Sequence, residues 1–281
     1  MEQSKFETRN LWLFFLIAFA FTWLFWILEA LAMQGRLGSS IITDFLLSSY
    51  NPAAWGPFVA AFLLTYLRTG KDGVTKLLRR GIDFRFNKVW LIPTLFLWPA
   101  IMIGGLLVAT LAGDDIPELL WASDPSMIAV YFFTVLLFQG PLQEEFGWRG
   151  YALDRLQARF NALNSSVILG LMWGLWHFPY MFTQGEEVVY QNLWGFMLST
   201  ILLTILFTWL YNNTGGSILV ALIFHTTFNY SAQMFPALET EAGSFIYMIS
   251  LIAVVIAVIV IWRPKRLVRE KQIKKTSPNS G

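Results

Sequence analysis

The 281-residue chain contains no cysteine, which excludes disulfides, thiolate metal ligands and a cysteine nucleophile. Charge is also scarce: Asp, Glu, Lys and Arg make up 14% of the residues, against about 25% in an ordinary soluble protein. Histidine occurs only twice. What fills the chain is apolar, 56% of the residues, and it comes in runs of the length that crosses a bilayer, roughly 20 residues each. The pattern predicts an all-α polytopic membrane protein with about eight transmembrane helices, one membrane domain over 1–281 and no separate soluble domain.

The expected spans are 11–33, 51–67, 89–111, 127–150, 167–182, 193–211, 218–235 and 244–262. Pro57 is expected to bend the second, Pro93 and Pro99 to interrupt the third, and Gly140-Pro141 to kink the fourth. Cations gather in the 68–88 connection (Arg68, Lys71, Lys76, Arg79, Arg80, Arg85, Lys88) and in a basic tail, 263–281, expected to be unstructured beyond Lys275. Asp114, Asp115, Glu118, Asp124, Glu186, Glu187, Glu239 and Glu241 fall in connections on the opposite side. The positive-inside rule then puts both termini in the cytoplasm of a cell-membrane protein. The basic stretches flank spans on one face, which points to anionic lipids as partners and not to nucleic acid. Leu77-Leu78 and Ile82 to Phe84 give the first of them apolar points for lying on the interface.

Ionisable groups at membrane depth are costly, about 2.5–3.5 kcal/mol each on the lenient insertion scales, and mark functional sites. Glu29 is near the end of the first span, where a carboxylate reaches the interface. Glu144 and Glu145 are different, because they follow an apolar run directly and are succeeded by Arg149. On a helix, Glu145 and Arg149 share a face and Glu144 points about 100° away. Both histidines of the chain lie in spans, His177 in the fifth and His225 in the seventh, with Asn229 one turn beyond His225. Three helices thus bring Glu, His, and His with Asn to one depth, in the cytoplasmic half. Singly, each could be interhelical glue, and Trp173 and Trp176 read as packing.

An acid paired with a histidine can position and deprotonate a water, and an imidazole with an asparagine amide one turn on can stabilise the oxyanion that forms when an amide is attacked. Glu145 and Arg149 serve either as a structural pair or as a clamp for a substrate carboxylate. The competing account is a catalytic zinc held by Glu144, His177 and His225. It lacks the spacing of two histidines four apart on one helix, so cofactor-free hydrolysis is the preferred reading. Two other classes fit less well. A non-catalytic immunity or scaffold protein has no use for burying both histidines, and a proton-coupled transporter would show an internal repeat that is absent here.

The combination Glu144-Glu145-xxx-Arg149, an aromatic four residues before His177, and His225-xxx-Asn229 resembles the CAAX prenyl protease and bacteriocin-processing (Abi) family. The three motifs span 144–229 within a core of about 125–235. The family usually has phenylalanine where this chain has Trp173, a departure expected to affect packing more than chemistry. The resemblance implies an intramembrane endopeptidase acting near the cytoplasmic face on a membrane-associated peptide or protein, and it leaves open whether that is a prenylated CAAX-type C-terminus or a substrate of bacteriocin immunity or peptide processing. It further implies Glu144 as water-activating base, His177 as its partner, His225 with Asn229 as oxyanion donors, and Glu145, Arg149 and Trp173 in support or in substrate binding.

Overall fold

The structure, a computed structural model, describes residues 2–48, 50–184 and 186–269, and its described residues contain helices and turns but no strand. The long helices are α1 (Glu2–Met33), α2 (Gly56–Arg80), α3 (Leu91–Ala112), α4 (Met127–Phe138), α5 (Pro141–Gly147), α6 (Ala162–Trp176), α7 (Glu186–Asn213), α8 (Ile218–Met234) and α9 (Glu241–Trp262). Five helical stretches among the described residues are long and apolar enough to cross a membrane: Asn10–Met33, Lys88–Ala112, Met127–Gln157, Leu193–Asn213 and Glu241–Trp262. The three other expected spans are also helical, as α2, the shorter apolar α6, and α8. The tail beyond residue 269, with its expected loss of structure after Lys275, lies outside the described residues.

The prolines act differently from expectation. Pro57 occupies the first turn of α2, where its missing N–H has no helical partner to lose, so it starts the helix and does not bend it. The bend comes at Gly70 (φ 64°, ψ −157°), and the segment beyond it carries Lys71, Lys76, Arg79 and Arg80. Pro93 and Pro99 do not interrupt α3, which runs continuously over its 22 residues. Gly140-Pro141 does break its span: Gly140 takes φ 107°, ending α4 and starting α5. Glu186 and Glu187, expected in a loop, begin α7.

Within a bilayer, helices gain little from hydrophobic burial against one another, and packing with hydrogen bonds joins them instead. Ser166 Oγ bonds Thr208 Oγ1 between α6 and α7 (2.8 Å). Thr227 Oγ1 donates to the Thr94 carbonyl between α8 and α3 (2.8 Å), and Ser199 meets Tyr247 between α7 and α9 (2.7 Å). Each such bond contributes about 0.6 kcal/mol. At the basic end, Arg80 ties α2 to Asp154 (2.9 Å), to the Gly150 and Gly216 carbonyls and to Tyr211, whose hydroxyl also donates to Asp154 (2.5 Å). The chain leaving α9 crosses the start of α6. There Ala162 N–H donates to the Lys265 carbonyl (3.0 Å) and Leu163 N–H to that of Pro264 (3.1 Å), while Asn212 and Asn213 hold the carbonyls of Arg266 and Leu267.

Candidate active site

The site is built on the broken helix α4–α5. Breaking a helix at membrane depth frees backbone groups that lipid cannot satisfy, so protein must. The Gln139 carbonyl accepts from Asn229 Nδ2 (2.9 Å), and the Gly140 N–H donates to Gln143 Oε1 (2.9 Å). Gln233 Nε2 holds the side-chain oxygen of Gln139 (2.9 Å). Gln139, Gln143 and Gln233 were missed in the sequence, although glutamines bracketing Gly140-Pro141 at the end of an apolar run were a readable sign that the break needs capping.

Glu145 and Arg149 form the expected i,i+4 pair, at 2.8 Å and with both side chains fully buried. Glu145 Oε1 also accepts from His225 Nδ1 (2.7 Å), so Nδ1 carries a proton and Nε2 is the ring nitrogen left for other work. The Arg149 guanidinium carbon lies 3.7 Å from the ring centre of Phe207 and 4.8 Å from that of Trp173, held between two aromatic faces.

Glu144 turns the other way. Its Oε2 accepts two indole N–H groups, from Trp173 at 2.6 Å and Trp148 at 3.1 Å. Its Oε1 faces Gly140: a Cβ built there would stand 2.8 Å from Oε1 and 3.6 Å from both Asn229 Nδ2 and His225 Cε1. Glu144, His225 and Asn229 therefore surround one point, which glycine alone leaves open. His177 ends α6, and its Nδ1 donates to the Trp173 carbonyl (2.8 Å), which fixes the tautomer and again leaves Nε2. The Trp173 ring stands edge-on between the two imidazoles, 5.7 Å from His177 and 5.6 Å from His225.

Glu144, Trp173, His177, His225 and Asn229 line a single cavity of about 950 Å³, whose remaining wall is largely apolar and aromatic, including Trp26, Phe138, Phe196, Leu203, Phe228 and Met248. That volume accommodates a sizeable ligand. Arg149 is not among the lining residues. Glu144 and His177 line the same cavity with Oε1 and Nε2 uncommitted, since the indoles take Oε2 and the helix's own carbonyl takes Nδ1. Trp173, read as packing, is a hydrogen-bond donor to Glu144, which phenylalanine could not be. Trp148, not singled out in the sequence, does the same from four residues on. Among the described residues no three His, Asp or Glu side chains are arranged to hold a metal ion, so the set Glu144, His177 and His225 shares a cavity without converging as ligands.

Residues 125–231 match the family described as Type II CAAX prenyl endopeptidase Rce1-like. All seven residues picked out by the motifs lie in that stretch. The chain is similar to CAAX prenyl protease 2 of Methanococcus maripaludis, 28% identical over 233 residues that cover 79% of this chain and 83% of that protein. It is also similar to Lysostaphin resistance protein A of Staphylococcus haemolyticus, 29% identical over 196 residues, 67% of this chain but only 50% of that protein's length.

Proposed function

We propose that this chain, related through residues 125–231 to the Rce1-like CAAX prenyl endopeptidases, hydrolyses a peptide bond of a membrane-associated, prenylated CAAX-type peptide with a water activated by Glu144. The observation that carries this reading is the gathering of Glu144 Oε1, His225 and Asn229 around Gly140, in a cavity that His177 also lines. Water held by Glu144 Oε1 and His177 Nε2 gives its proton to the carboxylate and attacks the scissile carbonyl. The resulting oxyanion takes hydrogen bonds from His225 and from the second N–H of the Asn229 amide, the first being spent on Gln139. A His225 that donates at both nitrogens is an imidazolium, and Glu145 at 2.7 Å is its countercharge. The proton on Glu144 then passes to the leaving amine. Arg149 acts as the buried counterion of Glu145, since it is fully buried away from the cavity. In this reading every step is carried by the chain's own side chains, without a metal.

The same reading has the chain crossing the cell membrane eight times as one domain, with both termini and the mouth of the cavity on the cytoplasmic side and 263–281 as a basic tail. The segment after Gly70, which carries Lys71, Lys76 and Arg79 together with exposed Leu78 and Ile82, lies on anionic headgroups. No nucleic acid is involved.

The test is cleavage of a fluorogenic prenylated peptide by detergent-purified protein, for wild type, Glu144→Gln and His225→Ala, each with and without a metal chelator. Loss of activity in both variants, with a chelator-insensitive wild type, is the expected result. A wild type silenced by chelator and restored by zinc would overturn the metal-free mechanism. Wild-type activity in Glu144→Gln would overturn the assignment of the base.

A further inference from the structure

Helix α1 lies outside the stretch matched by the family, yet it reaches the candidate site through one buried stripe. Phe14, Ala18, Thr22 and Trp26 follow one another at four-residue spacing, and the first three are fully buried, with Trp26 at 7% exposure. The lower end of the stripe backs Glu144. Phe14 packs edge-on against Trp148 (5.5 Å between centres), and the Trp148 indole donates to Glu144. The upper end backs His177. Trp26 stacks on the imidazole at 5.9 Å with 26° between planes, and is seated against Trp176 (4.6 Å) and Tyr180 (5.2 Å). Three residues earlier, Trp23 Nε1 donates to the Trp176 carbonyl (3.0 Å), the backbone group next to His177 at the end of α6.

His177 needs such support for a geometric reason. It sits where α6 ends and a short turn over Phe178–Met181 begins, so its backbone is not fixed on both sides by a continuous helix. Its one ring hydrogen bond among the described residues, from Nδ1 to the Trp173 carbonyl, leaves rotation about that bond to be set by packing. Trp176, Trp173 and Phe196 meet the ring at their edges, with planes 83°, 65° and 77° away. Trp26 is the ring that covers a face.

We infer that Trp26 is a positioning residue for His177, with Trp23 fixing the adjoining backbone, so that α1 is part of the catalytic apparatus and not only a span. This rests on the hydrolytic reading above. An imidazole whose Nε2 is displaced by about 1 Å loses on the order of 100-fold in rate.

The experiment compares wild type with Trp26→Leu, Trp26→Phe and Trp23→Phe in the peptide-cleavage assay, alongside ¹⁵N-histidine NMR of the same detergent-solubilised proteins. With only two histidines in the chain, both rings are resolved. Trp26→Leu is expected to lower kcat by ~30–100-fold with KM within twofold. Trp26→Phe should recover most of that loss, and Trp23→Phe should fall between. The His177 signal should change from a single Nδ1–H tautomer to an exchanging mixture in Trp26→Leu and stay single in Trp26→Phe. A raised KM with unchanged kcat would make Trp26 a mere wall of the cavity and overturn the inference. So would an unchanged His177 signal in Trp26→Leu. Should Glu144→Gln prove active in the same assay, the hydrolytic reading fails, while the NMR comparison still decides whether Trp26 orders His177.

Discussion

Substituting Gly140 by alanine probes the point on which the candidate site converges. Two effects follow, and they are separable. A residue with a Cβ at φ 107° is strained by about 1–3 kcal/mol, which lowers stability. The new Cβ also stands 2.8 Å from Glu144 Oε1, and ordinary contact begins at 3.4 Å, so the carboxylate must retreat by the difference of about 0.6 Å. It cannot pivot freely, because Oε2 is pinned by Trp173 and Trp148. A shift of this size at a reacting atom costs ~10–100-fold in kcat. Gly70→Ala is the matched control: Gly70 also has a positive φ, at a backbone conformation open to glycine almost alone, and a Cβ there meets nothing within 4 Å. Thermal unfolding in detergent and peptide cleavage are measured on both. Both variants should lose a few degrees, and only Gly140→Ala should lose turnover. Equal activity in the two would refute the placement of Oε1 at the reacting centre.

Trp173→Phe keeps the ring between the two histidines and removes one hydrogen bond to a carboxylate, worth about 1.5–3 kcal/mol; kcat/KM should fall at least tenfold and the unfolding temperature by several degrees. Glu145→Gln leaves Arg149 without its countercharge in a fully buried position, which costs about 3–5 kcal/mol and should abolish stable purification. The double variant Glu145→Gln, Arg149→Met should regain much of the folded yield without regaining activity, as read by size-exclusion profile and cleavage rate. Asp154→Asn loosens the surface tie to Arg80 and should cost no more than about 1 kcal/mol, because both side chains are partly in solvent.

Periodicity carried far in reading this chain. The four-residue interval between Glu145 and Arg149 and the 100° turn to Glu144 could be read directly, because both are properties of one helix. The order of the helical segments was legible for the same reason. Relations between helices were not. His177 and Glu144 were matched in depth, but depth does not say which way a ring or carboxylate faces, and each turned to a tryptophan. Trp173 looked like packing because an indole N–H declares its partner only in three dimensions. Pro57 was misread because a proline at the first turn and one in mid-helix look alike until the helix start is known. The bend at Gly70 went unseen because glycine permits a positive φ without demanding it. Helix α1 drew no functional reading at all, since its contribution is made wholly through aromatic contacts with distant parts of the chain.

The fastening of the chain beyond α9 onto the start of α6 bears on how the protein is made. The first two backbone donors of α6 find their acceptors in Pro264 and Lys265, which the ribosome supplies only after α7, α8 and α9 have been made. Until then the helix that carries Trp173 and His177 has those donors unmet at its leading end. Biosynthesis therefore sets an order: the leading end of the histidine-bearing helix is fastened only after α9 has been made.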